Sequence, residues 1–180
     1  FTEKTTCFSC HQQSLPGMAA GLARRRGIAF DEKIARAEAL SVIGHMESSR
    51  ESTLQINIGV RTATIPGYGL LGLEDFELPP QRVIDALVHR LAAQQSTDGR
   101  WGRLSSRPPL GYSDVTDTAL ALRTLKRFPL PGRQREFDRR IKQGAEWLRQ
   151  VHPSSTEERA LQLLGLAWAE TKPSQLKKLA

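Results

Sequence analysis

Apolar residues recur at helical spacing through most of this chain, and two kinds of helix alternate. Val83, Ile84, Leu87, Val88 and Leu91 fall on one face of a helix, which predicts one buried stripe. Apolar helices are predicted after Ser14 and Thr64 and over residues 114–128 and 155–170, and polar helices over residues 31–51, 80–95 and 133–151 and from Ser174. The pattern predicts an all-α chain of roughly seven to eight helices arranged in pairs.

An internal repeat supports the pairing. The segment Ser14-Leu15-Pro16-Gly17-Met18 recurs about 50 residues later as Thr64-Ile65-Pro66-Gly67-Tyr68, and each copy opens an apolar helix that a polar helix follows. A repeat of this length is typical of arrays of helical pairs. We therefore expect an α/α toroid, with apolar helices inside and polar helices outside, in preference to a generic helical bundle.

A turn between two predicted helices carries a family resemblance. Gln95-Ser-Thr-Asp-Gly99-Arg-Trp101 follows the end of an amphipathic run, and its Asp-Gly pair is a turn signal. The segment resembles the QW repeat (Gln, three residues, Gly, any residue, Trp) of squalene–hopene cyclases and their relatives. The resemblance implies that Gln95 stacks on Trp101, with Gly99 in the turn, and that the motif ties successive outer helices of a toroid together.

The resemblance also implies that the toroid is partial. A closed toroid of this family has about twice as many helices as this sequence predicts. We therefore expect residues 1–180 to form a single squalene-cyclase-like domain that is the N-terminal half of a ring. The remainder of the ring would come from a missing part of the chain or from a partner.

Composition narrows the classes of partner. The chain has 180 residues, enough for one domain with a sizeable core, and a formal net charge of +7. Its basic clusters at residues 24–26, 139–140 and 177–178 fit helix ends or outer faces. Aromatic residues do not interleave with them, so we expect no nucleic-acid partner. No apolar run is long enough to predict a transmembrane segment.

The two cysteines of the chain belong to a short cofactor-attachment motif. Cys7 and Cys10 are the only cysteines in the chain, and His11 follows directly. Cys-x-x-Cys-His is the attachment signal of haem c, in which the thiols add to the haem vinyl groups and the histidine is the proximal iron ligand. Three alternatives remain: a disulfide, half of a zinc site, or two cysteines that only pack.

The segment before the first repeat resembles a group of bacterial squalene-cyclase-like proteins that carry Cys-x-Ser-Cys-His at the start of the toroid. If residues 7–11 attach haem, the protein is expected to be periplasmic or otherwise extracytoplasmic and to have a redox partner. Met46 or His45, on the second helix, could then be the sixth iron ligand. The alternative is that both are ordinary helix positions.

A second stretch bears on enzyme function. Asp114-Val-Thr116-Asp117-Thr-Ala resembles the Asp-x-Asp-Asp-Thr-Ala motif of class II terpene cyclases, whose middle aspartate protonates the substrate. Thr116 occupies that middle position, and a threonine hydroxyl is too weak an acid for the step. Asp114 and Asp117 remain as catalytic candidates. The other interpretation is that they are carboxylates favoured at a helix start.

Three functional hypotheses follow. The lead is a squalene-cyclase-like helical module that does not itself protonate a substrate and that carries haem c for electron transfer or redox sensing. The first alternative is a terpene cyclase or prenyltransferase-type enzyme. The second is a non-catalytic scaffold that binds a polyprenoid, another lipid or a protein in an apolar cavity.

Overall fold

A computed structural model describes residues 13–55, 63–79, 81–102 and 113–179. Within these ranges the chain is all-helical, as the sequence predicts, and has no strand. The nine helices of the described ranges are α1 (Leu15–Arg26), α2 (Glu32–Glu47), α3 (Arg50–Leu54), α4 (Thr64–Leu73), α5 (Arg82–Ala93), α6 (Asp114–Arg127), α7 (Gln134–Gln150), α8 (Thr156–Trp168) and α9 (Pro173–Leu179).

The helices pack in two rows. Along one row α1 contacts α4, α4 contacts α6, and α6 contacts α8. The helices α2, α5, α7 and α9 lie against α1, α4, α6 and α8 respectively. The alternating pairs of the sequence therefore appear as neighbouring pairs in space. Closure of these rows into a toroid stays a prediction.

Helix α6 is the most enclosed element. Nearly every residue from Val115 to Leu125 is buried, because α4, α7 and α8 pack around it. Glycines let two of these neighbours come close: a Cβ on Gly67 would lie 2.7 Å from Leu120 Cβ, and one on Gly165 would lie 2.8 Å from Ala119 Cβ. Larger residues at these glycines would push α4 and α8 away from α6.

The second helix differs from its predicted bounds. The sequence predicts one helix over residues 31–51, whereas α2 ends at Glu47 and the short α3 begins at Arg50. The Ser48 hydroxyl donates to the His45 carbonyl at 2.7 Å, and the Ser49 hydroxyl donates to the Met46 carbonyl at 2.9 Å. Serine side chains that bond nearby carbonyls compete with the helical hydrogen bonds, which explains both the break and the additional helix.

An ion-pair cluster centred on Glu136 connects α7 to α5. Its carboxylate accepts from Arg133 Nε at 2.7 Å and from Arg140 Nε at 2.8 Å. Arg133 also lies 2.8 Å from His89 Nδ1 on α5. Hydrogen bonds from Arg133 are the main reason that the pKa of Glu136 falls to about 2, with burial opposing them and Arg140 adding to them.

The low pKa of Glu136 predicts a pH-dependent contribution to stability. A carboxylate whose pKa is lower in the folded state stabilises that state above its unfolded pKa, and the contribution is lost as pH falls through the folded pKa. We expect Glu136→Gln to lower the free energy of unfolding by about 1–2 kcal/mol at pH 7. This difference should shrink between pH 4.5 and about 2. Urea unfolding across this range measures it.

Asp138→Asn is the matched control, since Asp138 lies on the same helix, is exposed and accepts a hydrogen bond from Gln134. It should leave the free energy of unfolding within about 0.5 kcal/mol of the unsubstituted chain. Equal losses in the two variants at pH 7 would contradict a special role for Glu136.

Candidate functional site

The predicted haem segment meets the described structure at the start of α1. Cys7, Cys10 and His11 lie outside the described residues. Gln13 and Ser14, which follow almost directly, are 6% and 2% exposed and lie in the wall of a cavity. The described part of the chain therefore begins at a wall of this cavity, two residues after the motif in the sequence.

The cavity, hereafter the α1/α2/α4 cavity, has a volume of about 540 Å³. Small-molecule sites in proteins typically span about 300–1,000 Å³ and are lined mainly by apolar groups. Most of its lining side chains are apolar or absent: Pro16, Gly17, Ala19, Ala20 and Ala23 of α1, Ile34, Ala35, Ala39 and Val42 of α2, Gly69, Gly72 and Leu73 of α4, and Phe30 and Phe76 beside them. The cavity thus suits an apolar molecule.

Polar groups lie at the edges of the cavity. Asp31 and Glu38 are exposed on its α2 side, and Asp31 caps α2 by accepting from the Ile34 amide at 3.0 Å. The Arg24 guanidinium carbon lies 5.5 Å from the ring centre of Phe30 and 5.1 Å from that of Phe76. Stacking on both rings fixes the aromatic end of the cavity.

The two predicted sixth ligands lie away from the cavity. Met46 is 5% exposed and belongs to the main hydrophobic cluster, and His45 is half-buried. Neither is among the residues that line the cavity. Met18 of α1 packs against a separate cluster formed by Tyr68, Leu71 and Leu120.

The turn from Gln95 to Trp101 forms a tight set of hydrogen bonds. The Gln95 side-chain amide donates to the Gly99 carbonyl at 2.8 Å and to the Arg140 carbonyl of α7 at 2.9 Å. Trp101 is 1% exposed, and its indole N–H donates to the Leu91 carbonyl of α5 at 2.7 Å. These contacts join the end of α5 to α7.

The backbone conformation at position 99 favours glycine. Its φ is +97°, in the left-handed half of conformational space, and a Cβ there would lie 2.5 Å from the Gln143 carbonyl oxygen. A side chain would therefore be strained and would also collide with α7.

The candidate catalytic aspartates lie in the first turn of α6. Asp114 is half-buried and lies 3.3 Å from Arg100. Asp117 is fully buried, as is Thr116, whose backbone amide donates to the Ser113 hydroxyl oxygen at 3.3 Å. Both aspartates thus occupy the helix start, where the backbone dipole favours carboxylates.

Another buried carboxylate, Glu158, lies at the start of α8. It accepts from the Ser154 amide at 2.6 Å and from the Ser154 hydroxyl at 2.7 Å. Burial raises the pKa of Glu158, but hydrogen bonds from Ser154 and Ser113 outweigh it and lower that pKa overall. A carboxylate that is held ionised by hydrogen bonds is poorly suited to donate a proton.

The comparisons with known proteins give no relative. No protein-family model, curated protein or solved structure matches this chain. None of the helices in the described ranges has the length and apolar character needed to cross a bilayer. Likewise, the described residues hold no group of three histidine, cysteine or acidic side chains placed to bind a metal ion.

Sequence reasoning missed the cavity-lining positions of α1 and α2. Gly17, Ala20 and Ala23 fall three residues apart on α1, and Ala35 and Ala39 fall four apart on α2. Such spacing marks one face of each helix. The sequence does show these small-residue faces. However, a face of small residues is compatible with either close helix packing or a cavity, and only the distance between the folded helices decides which of the two forms.

The Gln95 contacts predict a measurable contribution to stability. Gln95→Ala removes the donor for two backbone carbonyls, so we expect a loss of about 1–3 kcal/mol in the free energy of unfolding. The control is Gln94→Ala, next to it and half-buried, which should change stability by less than about 0.5 kcal/mol. Urea unfolding measures both. A Gln95→Ala chain as stable as the Gln94→Ala chain would show that the contacts contribute nothing.

Proposed function

We propose that this chain is a helical-repeat module that carries a covalent haem c and serves electron transfer or redox sensing. The observation that carries the proposal is the position of Cys7-x-x-Cys10-His11, directly before a helix that forms one wall of an apolar cavity. Cys7 and Cys10 would form thioether bonds to the haem, and His11 would be its proximal ligand. Bound there, the haem would supply reversible one-electron transfer.

Chain geometry supports a link between the motif and the cavity. His11 precedes Gln13 by only two residues in the sequence, and an extended chain advances at most about 3.6 Å per residue. Gln13 itself lines the α1/α2/α4 cavity. A group held by His11 is thus within reach of apolar surroundings.

The described residues fit a haem in two respects. The cavity is large and apolar, as the porphyrin ring requires. In addition, the buried Ser14 hydroxyl has no hydrogen-bond partner within the part of the chain that the structure describes. Iron-bound histidines usually donate their second ring N–H to a nearby acceptor. Ser14, three residues after His11, offers such an acceptor.

The proposal has consequences for location and partners. Covalent haem c would place the protein in the periplasm or elsewhere outside the bacterial cytoplasm, and a redox partner would exchange electrons with it. The rest of a toroid, from another part of the chain or from a partner, would complete the array of helical pairs.

A second candidate function is a scaffold that binds a polyprenoid or another lipid. It is favoured by the same cavity and by exposed leucines on both ends of the α1–α4–α6–α8 row, namely Leu15, Leu22 and Leu164. Cyclase chemistry at α6 is disfavoured, because Thr116 stands where the acid would be needed.

The test is production of the chain with a haem-maturation system. We expect the intact mass to increase by one haem and a Soret band to appear. A Cys7→Ala, Cys10→Ala double variant should lose both, because no thiol remains to form the thioether bonds. Mass spectrometry and absorption spectra measure the outcome.

His11→Ala and His152→Ala provide a matched pair, since His152 is exposed and far along the chain. We expect His11→Ala to change the Soret spectrum through loss of the proximal ligand, whereas His152→Ala should not. An unsubstituted chain that retains its apoprotein mass would overturn the haem proposal and leave the lipid-binding scaffold as the better candidate.

A further inference from the structure

The α1/α2/α4 cavity is an elongated space that opens to solvent on its α2 side. Helices α1 and α4 touch directly, since a Cβ on Gly72 would lie 2.8 Å from Ser14 Cα, and a Cβ on Gly17 would collide with the Gly72 carbonyl. The lining residues of α1 extend from Ser14 to Ala23, which corresponds to about 14 Å of helix. On the α2 side the lining residue Ile34 is 63% exposed, so a ligand has a route into the cavity there.

The charged residues that line the cavity are acidic. Within the described ranges its lining includes two carboxylates, Asp31 and Glu38, and no lysine or arginine. Both residues are exposed, and neither forms an ion pair with another described residue. The chain as a whole has a formal net charge of +7, so the charge of the lining is opposite to that of the chain. Complementary charge gives specificity in binding, and this cavity is therefore suited to a cation.

Arg24, which lies beside the cavity, already has other partners. Its guanidinium donates to the Glu32 carboxylate at 2.6 Å and to the Asp75 carbonyl at 2.8 Å. It also stacks over the rings of Phe30 and Phe76, which line the cavity. These contacts hold the aromatic end of the cavity in place and leave its two acidic lining residues to a different cation.

A buried hydroxyl lies in the cavity wall at the start of α1. Ser14 is 2% exposed, and its hydroxyl oxygen has no hydrogen-bond partner in the described part of the chain. A buried polar group without a partner costs free energy, which a hydrogen bond to a ligand would recover. Because a hydroxyl both donates and accepts, a hydroxyl or a carbonyl group of the ligand would satisfy it.

We propose that the α1/α2/α4 cavity binds an amphiphilic amine. The ammonium group would lie at the Asp31 and Glu38 carboxylates, the apolar body would fill the space between the three helices, and a polar group at its opposite end would bond to the Ser14 hydroxyl. Fatty acids and other anionic amphiphiles are disfavoured, because the two carboxylates would repel them. The proposal is independent of haem attachment, and it gives a ligand class to the second candidate function.

The first experiment compares three ligands of equal chain length on the full chain, produced without haem maturation so that its outcome is separate from that of the haem proposal. Decylamine is a cation at neutral pH, as the lysine side chain is, whereas decanol is neutral and decanoate is an anion. We expect calorimetry to show the tightest binding for decylamine and the weakest for decanoate. Decanol that binds as tightly as decylamine would overturn the charge assignment, and absence of binding by all three would overturn the site.

The second experiment removes the charges of the lining. Asp31→Asn and Glu38→Gln together abolish both, while asparagine keeps the acceptor that caps α2. Affinity for decylamine should fall about three- to tenfold, and affinity for decanol should stay unchanged. The control combines Glu47→Gln with Asp138→Asn, two exposed carboxylates outside the lining, and should change each affinity by less than about twofold. An equal fall in both double variants would contradict a local role of the lining carboxylates.

The third experiment fills the cavity. Ala35 is half-buried and lines it, whereas Ala37, on the same helix, is exposed and does not. Ala35→Phe should abolish decylamine binding, and Ala37→Phe should leave it unchanged. Ala20→Phe, which fills the cavity from the α1 side, decides the matter if Ala35→Phe fails to fold by far-ultraviolet circular dichroism. Decylamine binding that persists in a folded cavity variant would overturn the site.

A last comparison tests the inner end of the ligand. Decylamine with a hydroxyl group on its last carbon should bind more tightly than decylamine, because it can bond to the Ser14 hydroxyl. Ser14→Ala should remove this difference and leave the affinity for decylamine itself unchanged. A difference that survives Ser14→Ala would overturn the assignment of Ser14 as the polar contact.

Discussion

The close packing of α6 between α4 and α8 is the contact on which the rest of the structure depends. It requires glycine at 67 and 165, because the facing Leu120 and Ala119 leave no room for a side chain. Core positions that are overfilled by even one group typically cost about 1–3 kcal/mol. With α6 enclosed in this way, its buried polar side chains can bond only to groups inside the protein. Trp101 supplies one of them: its backbone amide donates to the Thr118 hydroxyl at 3.0 Å.

The turn at Gln95 connects the tightly packed helix α6 to its outer neighbours α5 and α7. Because Trp101 is bonded both to α6 and to the last turn of α5, and Gln95 reaches α7, three helices share one small polar centre. Helix α1 is connected differently, through Arg24, which donates to Glu32 and to the Asp75 carbonyl. Its only buried residue within the helix is Gly21, and its face toward α2 borders the cavity. The same chain therefore has a tightly packed part around α6 and an open part around α1, where a cofactor or ligand has room.

Periodicity predicted the longer helices well because each shows an apolar stripe, as α5 does with Val83, Val88 and Leu91 all fully buried. It did not predict the break after Glu47, since the serine-to-carbonyl bonds that end α2 have no periodic signature. The sequence also did not predict the cavity, for a different reason. Ala35 and Ala39 signal a small-residue face, but whether α1 approaches that face depends on the contact between Gly17 and Gly72, which involves helices distant in sequence.

Residues in and beside the segment that resembles a cyclase motif make structural contacts in this protein. Ser113 caps α6, Thr118 accepts from Trp101, and Asp114 pairs with Arg100. Each of these contacts lies at the start of α6 or in the adjacent turn, so a loss of activity on substitution there would not by itself identify a role in chemistry. Thr116, fully buried at the position of the cyclase acid, carries only a hydroxyl, which is too weak an acid to protonate an alkene. The start of α6 therefore offers structural contacts and no acid at the position that cyclase chemistry would need, which is why the proposed function rests on the Cys-x-x-Cys-His pattern of the sequence and not on this helix.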